Sequence, residues 1–152
     1  PSNSRNATFA FTGSGNAFDC ALDAGAFAAC SSPIAYSSLS YGEHSFQVRA
    51  RNGSNVGAAT RFVWVITNTA PVANSQTVTT TENISLTLTL VASDPDPLGY
   101  QVGTPAHGLL LGAPPNLTYN PDSKFFGTDS FTFVANDGLL SSNVATVTIA
   151  VG

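Results

Sequence analysis

Gly42-Glu43-His44-Ser45-Phe46-Gln47-Val48-Arg49-Ala50-Arg51-Asn52-Gly53 returns later in the chain as Gly127-Thr128-Asp129-Ser130-Phe131-Thr132-Phe133-Val134-Ala135-Asn136-Asp137-Gly138. The first Gly, then Ser-Phe, an apolar residue, Ala, Asn or Asp and a closing Gly recur at a constant offset of 85 residues, from 42 to 127. At the same offset Val63-Trp64-Val65-Ile66 falls on Thr148-Ile149-Ala150-Val151. Apolar residues alternate with polar ones inside both copies, which is the period of a half-buried strand. A self-similar period of this size marks an array of like-built modules. The chain reads as two β modules in tandem.

Composition agrees. The 152 residues include 10 Phe, no Met, 13 Gly and 9 Pro, and the Gly and Pro fall between short apolar runs. That pattern favours strands and turns, and no helix of useful length is legible. Each half is the size of a small sandwich and buries only a modest core. Charged residues make up 9% of the chain, so neutral Ser, Thr and Asn must cover the exposed faces.

Charge is unequally shared. Residues 1–70 carry Arg5, Arg49, Arg51 and Arg61 against Asp19, Asp23 and Glu43, whereas residues 71–152 set Lys124 alone against Glu82, Asp94, Asp96, Asp122, Asp129 and Asp137. With a net charge of −4 and no basic stripe, nothing here fits a phosphate backbone, and nucleic acid is not expected as a partner. No apolar run is long enough for a helix to span a bilayer, so membrane insertion is not expected either. No secretory leader opens the sequence, which reads as a mature chain or a fragment of a longer one.

Cys20 and Cys30 flank Asp23-Ala24-Gly25, a turn signal between two short strands. A hairpin there brings the sulfurs within reach, and the expectation is a disulfide rather than a reduced, buried pair. Closing so small a loop contributes on the order of 3 kcal/mol. The spacing, with no nearby His, suits zinc poorly. A disulfide places the chain in an oxidising, extracellular or cell-surface setting.

Alternation and turn residues predict six strands in the first half, at 7–12, 17–22, 26–29, 34–36, 44–51 and 60–66, and seven in the second, at 76–80, 84–92, 98–104, 109–111, 117–120, 129–136 and 145–151. Asn68-Thr69-Ala70-Pro71 is the linker, short and stiffened by Pro.

Residues 6–71 carry Phe18-Asp19-Cys20-Ala21-Leu22-Asp23, Phe27, Cys30, Ser32-Pro33, Leu39, Gly42, His44, Phe46, Val48-Arg49-Ala50 and Trp64, and this stretch resembles the bacterial Ig-like repeat. Residues 71–151 carry Pro71-Val72-Ala73-Asn74, Ser93-Asp94-Pro95-Asp96, Pro105-Ala106-His107-Gly108, Pro115-Asn116-Leu117-Thr118-Tyr119, Phe126-Gly127-Thr128-Asp129-Ser130-Phe131 and Asn136-Asp137-Gly138. They resemble the cadherin-like tandem Ig module of large bacterial surface proteins. The resemblance implies an all-β chain of two tandem Ig-like/cadherin-like antiparallel β-sandwiches, 1–70 and 71–152, built into extracellular adhesins or filaments. The Ig-like repeat has a further strand upstream of Asn6–Thr12, which Pro1–Arg5 is too short to supply. Its absence leaves an open edge, filled either by more of a longer array or by a neighbouring copy, and the second case makes a head-to-tail polymer.

No cofactor is required by this reading, and calcium is the one that the resemblance admits. Asp94, Asp96 and Asp137, with linker carbonyls, are the candidate ligands, and Glu82 with Asp129 a second half-site. The bland alternative makes them turn formers and solvated caps. Asp94-Pro95-Asp96-Pro97-Leu98 lacks the Gly-Asp usual in the middle of that loop, and Asn83 stands where an acid is usual. Calcium prefers several carboxylates, and this chain has lost some.

No catalytic residue is expected, because no acid or nucleophile is placed by motif beside His44 or His107. Asn6, Asn52, Asn83 and Asn116 begin Asn-x-Ser/Thr sequons, acceptors only in a host that glycosylates. The expected role is a non-enzymatic spacer or subunit whose partners are neighbouring repeats or identical subunits. The alternative is a carbohydrate-binding accessory module that grips a glycan through Tyr36, Tyr41, Trp64 or Tyr100.

Overall fold

The computed structural model describes residues 2–152, and among these there is no helix. The chain divides into two compact units between Asn68 and Thr69.

The first unit contains β1 (Ala7–Phe9), β2 (Ala17–Leu22), β3 (Ala28–Cys30), β4 (Ile34–Tyr36), β5 (Gly42–Asn52), β6 (Asn55–Val56) and β7 (Thr60–Ile66). β5 is the hub: it pairs antiparallel with β2 on one side and with β7 and the short β6 on the other, while β3 extends the sheet beyond β2. β1 and β4 form a separate two-stranded layer. Phe9 of β1 stacks on the buried Phe46 of β5 at 4.2 Å between ring centres, and this contact joins the layers. The Cys20–Cys30 disulfide forms across the β2–β3 hairpin.

The second unit contains β8 (Val72–Ala73), β9 (Gln76–Thr80), β10 (Leu86–Thr89), β11 (Ala92–Ser93), β12 (Gly99–Val102), β13 (Gly108–Ala113), β14 (Asn116–Pro121), β15 (Gly127–Asn136) and β16 (Ala145–Val151). One sheet runs β12-β15-β16-β9, the other β10-β14-β13, and β8 pairs with β11 at the margin. Their facing side chains, Leu88, Leu117 and Tyr119 against Phe131, Phe133, Val147 and Ile149, make the core of a β-sandwich. One pairing departs from the antiparallel expectation: β9 lies parallel to β16.

The repeated sequence becomes a repeated ladder. Gly42 faces Ile66 and Phe46 faces Phe62 in β5–β7, and Gly127 faces Val151 and Phe131 faces Val147 in β15–β16, each residue displaced by the same 85 positions. Phe46 and Phe131 are both buried.

The short β6 and β8 carry too few residues to announce themselves by alternation. The run 84–92 is two strands rather than one, because Leu86–Thr89 pairs with β14 while Ala92–Ser93 crosses to β8. Its alternation is continuous through a change of partner that periodicity does not register.

Gly42 and Gly127 open the repeated strands with φ of 126° and 131°, in space that a Cβ could occupy without a clash. The constraint is therefore backbone conformation alone. Gly42→Ala and Gly127→Ala are each expected to cost about 1–3 kcal/mol, measured by chemical denaturation, and a cost at only one of the two positions would contradict their equivalence.

Candidate functional site

Along β7 one edge is left almost unpaired by the described residues. In β16 the inward-facing Val147 and Ile149 are fully buried, flanked by β15 and β9. Their counterparts at the 85-residue offset are Phe62, which is 55% exposed, and Trp64, which is half-buried. β7 has β5 on one side. Beyond its other edge, among the described residues, only Ser2 pairs, in a parallel bridge to Ile66. A groove of about 320 Å³ opens here, its apolar wall formed by Phe9, Phe62 and Trp64 and its polar lip by Ser2, Ser4 and Asn6. Phe9 lies 5.1 Å and Phe62 6.0 Å from Trp64, ring centre to ring centre.

Beneath Trp64 sits a polar arrangement that no motif announces. Buried His44 places Nδ1 2.9 Å from Asp23 Oδ2 and Nε2 2.8 Å from the Ser40 carbonyl, with Ser40 Oγ at 3.4 Å. Both near partners are acceptors, so the doubly protonated ring satisfies them best. The Ser40 carbonyl and the Asp23 carboxylate raise the His44 pKa above 6.5 against the opposing effect of burial. Burial pushes the Asp23 pKa up, but the Ser45 N–H and the His44 ring outweigh it and hold the carboxyl below its ordinary value. Ser, His and Asp meet here, yet the Nε2 that a general base would need free donates to a backbone carbonyl. The arrangement locks the start of β5 to the turn after β2.

Asp129 has a comparable task in the second unit. It is buried, and its carboxylate accepts from the Tyr119 hydroxyl at 2.8 Å and from the N–H groups of Ala106, His107 and Ser130. Burial raises its pKa, but these four donors more than offset that and lower it overall. Burial, then Asp129, push the Tyr119 hydroxyl pKa strongly upward. A Cβ at Gly108 would strike the Tyr119 ring, so the turn at His107 closes tightly on this bond.

Two of the other candidate ligands, Asp94 and Asp137, are engaged in their own turns. Asp94 Oδ1 accepts from the Asp96 N–H, and Asp137 Oδ1 from the N–H groups of Leu139 and Leu140. Glu82 is exposed and donates its backbone N–H to the Gly152 carbonyl. Among the described residues no three His, Cys, Asp or Glu side chains gather to hold an ion, so these residues do not assemble a metal site as they stand. Asn6, Asn52, Asn83 and Asn116 are all exposed. Of the four aromatics weighed for sugar binding, Trp64 lines the groove. Tyr36 packs edge-on to Phe9, Tyr41 lies beneath Arg5, and Tyr100 packs on the second unit's core.

The sequence pattern of the bacterial Ig domain matches residues 68–150, more than half of the chain. The chain belongs to the bacterial Ig domain family. This bacterial Ig protein is also similar to solved structures. Human mucin-like protocadherin EC1-2 is 16% identical over 90% of this chain and 85% of its own, with a TM-score of 0.45. An endo-fucoidan hydrolase of glycoside hydrolase family 107 is 17% identical over 98% of this chain, TM-score 0.46, and the human desmocollin-1 ectodomain 15% identical over 90%, TM-score 0.41. The bacterial Ig protein spans only 24% and 33% of those two chains. No curated protein matches its sequence.

The two carboxylates and the histidine generate opposite pH responses. The Asp23 and Asp129 contributions are complete above their unfolded value of 3.8 and vanish as pH falls through their lower folded values. The His44 contribution is complete below 6.5 and is lost as pH rises through its raised folded value. Stability against urea is thus expected to decline from pH 6 to pH 9, and His44→Gln should flatten that decline. Asp129→Ala orphans buried donors and should cost about 2–4 kcal/mol, with Asp129→Asn costing less because its oxygen still accepts.

Proposed function

We propose that this chain is a non-enzymatic structural module of an extracellular adhesin or surface filament, a spacer or subunit that works through stiffness and length. In this reading residues 1–70 and 71–152 are tandem sandwiches, the first lacking a strand that a neighbouring segment completes. Calcium is not required. The observation that carries the proposal is the 85-residue repeat, which recurs as one β-ladder in both units, the second of them a bacterial Ig domain. Repetition of a unit with its own core extends reach without creating a reaction centre. The disulfide fits an oxidising location, and the low charge with abundant Ser, Thr and Asn fits a surface that meets solvent on most sides.

A second reading is favoured by one feature, the aromatic groove of Phe9, Phe62 and Trp64, whose ring faces could stack on a sugar. Antibodies to the chain, applied to intact cells of the source organism under electron microscopy, test the first reading: labelled surface fibres or coats are expected, and labelling only after lysis would overturn it. Glycan arrays test the second, where saturable binding abolished by Trp64→Ala would make the groove a sugar site.

A further inference from the structure

Both units present the same parallel seat, and the described residues fill it in only one. In the second unit β9 lies along β16, with Gln76 opposite Val147, Val78 opposite Ile149 and Thr80 opposite Val151. The ladder closes with the Gly152 N–H donating to the Thr80 carbonyl at 3.0 Å. In the first unit Ser2 stands opposite Ile66, also parallel, and the Thr67 N–H donates to the Ser2 carbonyl at 2.9 Å. Ile66 and Thr67 are the residues 85 positions before Val151 and Gly152, so Ser2 occupies the place of Thr80 with the same chain direction.

Among the described residues the rest of the seat is open. Ser2 also donates its N–H to the Val65 carbonyl. Backbone groups alternate sides along a strand, so the N–H and C=O of Arg61 and Val63 face the same edge as that carbonyl. Phe62, Val63 and Val65 are 55%, 41% and 39% exposed, an apolar strand with an unfilled edge of the kind that accepts another strand.

We propose that the β7 edge seats a parallel strand of four residues that runs directly into Ser2, with a β-branched apolar side chain opposite Trp64 and a polar one opposite Phe62. This rests on the tandem-sandwich reading above and supplies the identity of the missing strand. The register follows from β9, where Val78 packs against the core and Gln76 stays at the rim, its amide donating to the Thr89 carbonyl. Delivery in cis is favoured over a strand from a second copy, because Ser2 already holds the last rung in the required direction. A foreign strand would have to stop short of it.

The test copies Gln76–Thr79 in front of Ser2, in place of Pro1, so that Val falls opposite Trp64. Two control chains carry the same extension with Lys for that Val, or shifted by one residue. Amide exchange at Val63 and Val65, whose N–H groups face the C=O groups of the added Gln and Val, is read by NMR, alongside emission from Trp64, the single tryptophan. The matched extension should slow both amides at least about tenfold and shift the emission to the blue, and the controls should do neither. Equal behaviour of all three extensions overturns the proposal. So does protection of Val63 and Val65 in the unextended chain that grows with concentration alongside a dimer mass, since a second copy then fills the edge. A Trp64 response to oligosaccharides but not to the matched strand also overturns it, in favour of the sugar reading. Val147 and Ile149 serve as internal reference. If they stay protected while β7 is unresponsive, only the strand proposal falls, whereas fast exchange in β16 itself brings down the tandem-sandwich reading and this proposal with it.

Discussion

The antiparallel ladder between β5 and β7, repeated between β15 and β16, is the constraint to which the other elements adjust. Each copy starts at a glycine of positive φ and puts a phenylalanine inward at the same rung. Burying each of those rings is worth about 2–3 kcal/mol. In the first unit the layer of β1 and β4 is held over the sheet by the stacking of Phe9 on Phe46. In the second, the layer of β10, β14 and β13 closes over Phe131 and Phe133.

Around that common ladder the two units solve their polar problems differently. The second has a buried carboxylate, Asp129, satisfied by one hydroxyl and three backbone donors, and the arrangement ties β14, β15 and the turn before β13 together. The first uses the Asp23–His44 pair and a cluster in which the part-exposed Arg49 and Arg51 approach the buried Asp19 at 3.3 and 3.5 Å. Arg49 also lies over the Phe27 ring, so its aliphatic stem and planar head cover the hairpin that the disulfide closes. The Asp94, Asp129 and Asp137 carboxylates accept from backbone donors in their own turns or across the sandwich. Of the edges that these sheets present, that of β7 is apolar and carries one bridge among the described residues.

Much of this was legible in the chain itself. The fixed offset was legible, and it returns as the β5–β7 and β15–β16 ladders, because equivalent rungs of a ladder must repeat apolar, glycine and turn residues at equal spacing. The Asp23-Ala24-Gly25 turn announced the hairpin that joins Cys20 to Cys30, since a tight turn forces its flanks together. The groove was half legible: Trp64 stood out among the aromatics that could grip a glycan, but Phe62 did not. Alternation marks which residues share a face, without saying whether anything lies over that face.

What the order of residues determined, then, was local: strand periods, turns, the repeat and the oxidised pair, each decided by neighbours a few positions away or by exact recurrence. Only the tertiary structure decided the partners of Asp129 and His44, the parallel lie of β9 on β16, and the exposure of Phe62 where Val147 is buried. Those outcomes depend on which distant strand comes alongside, and backbone pairing carries no record of its partner in the residues of one strand alone.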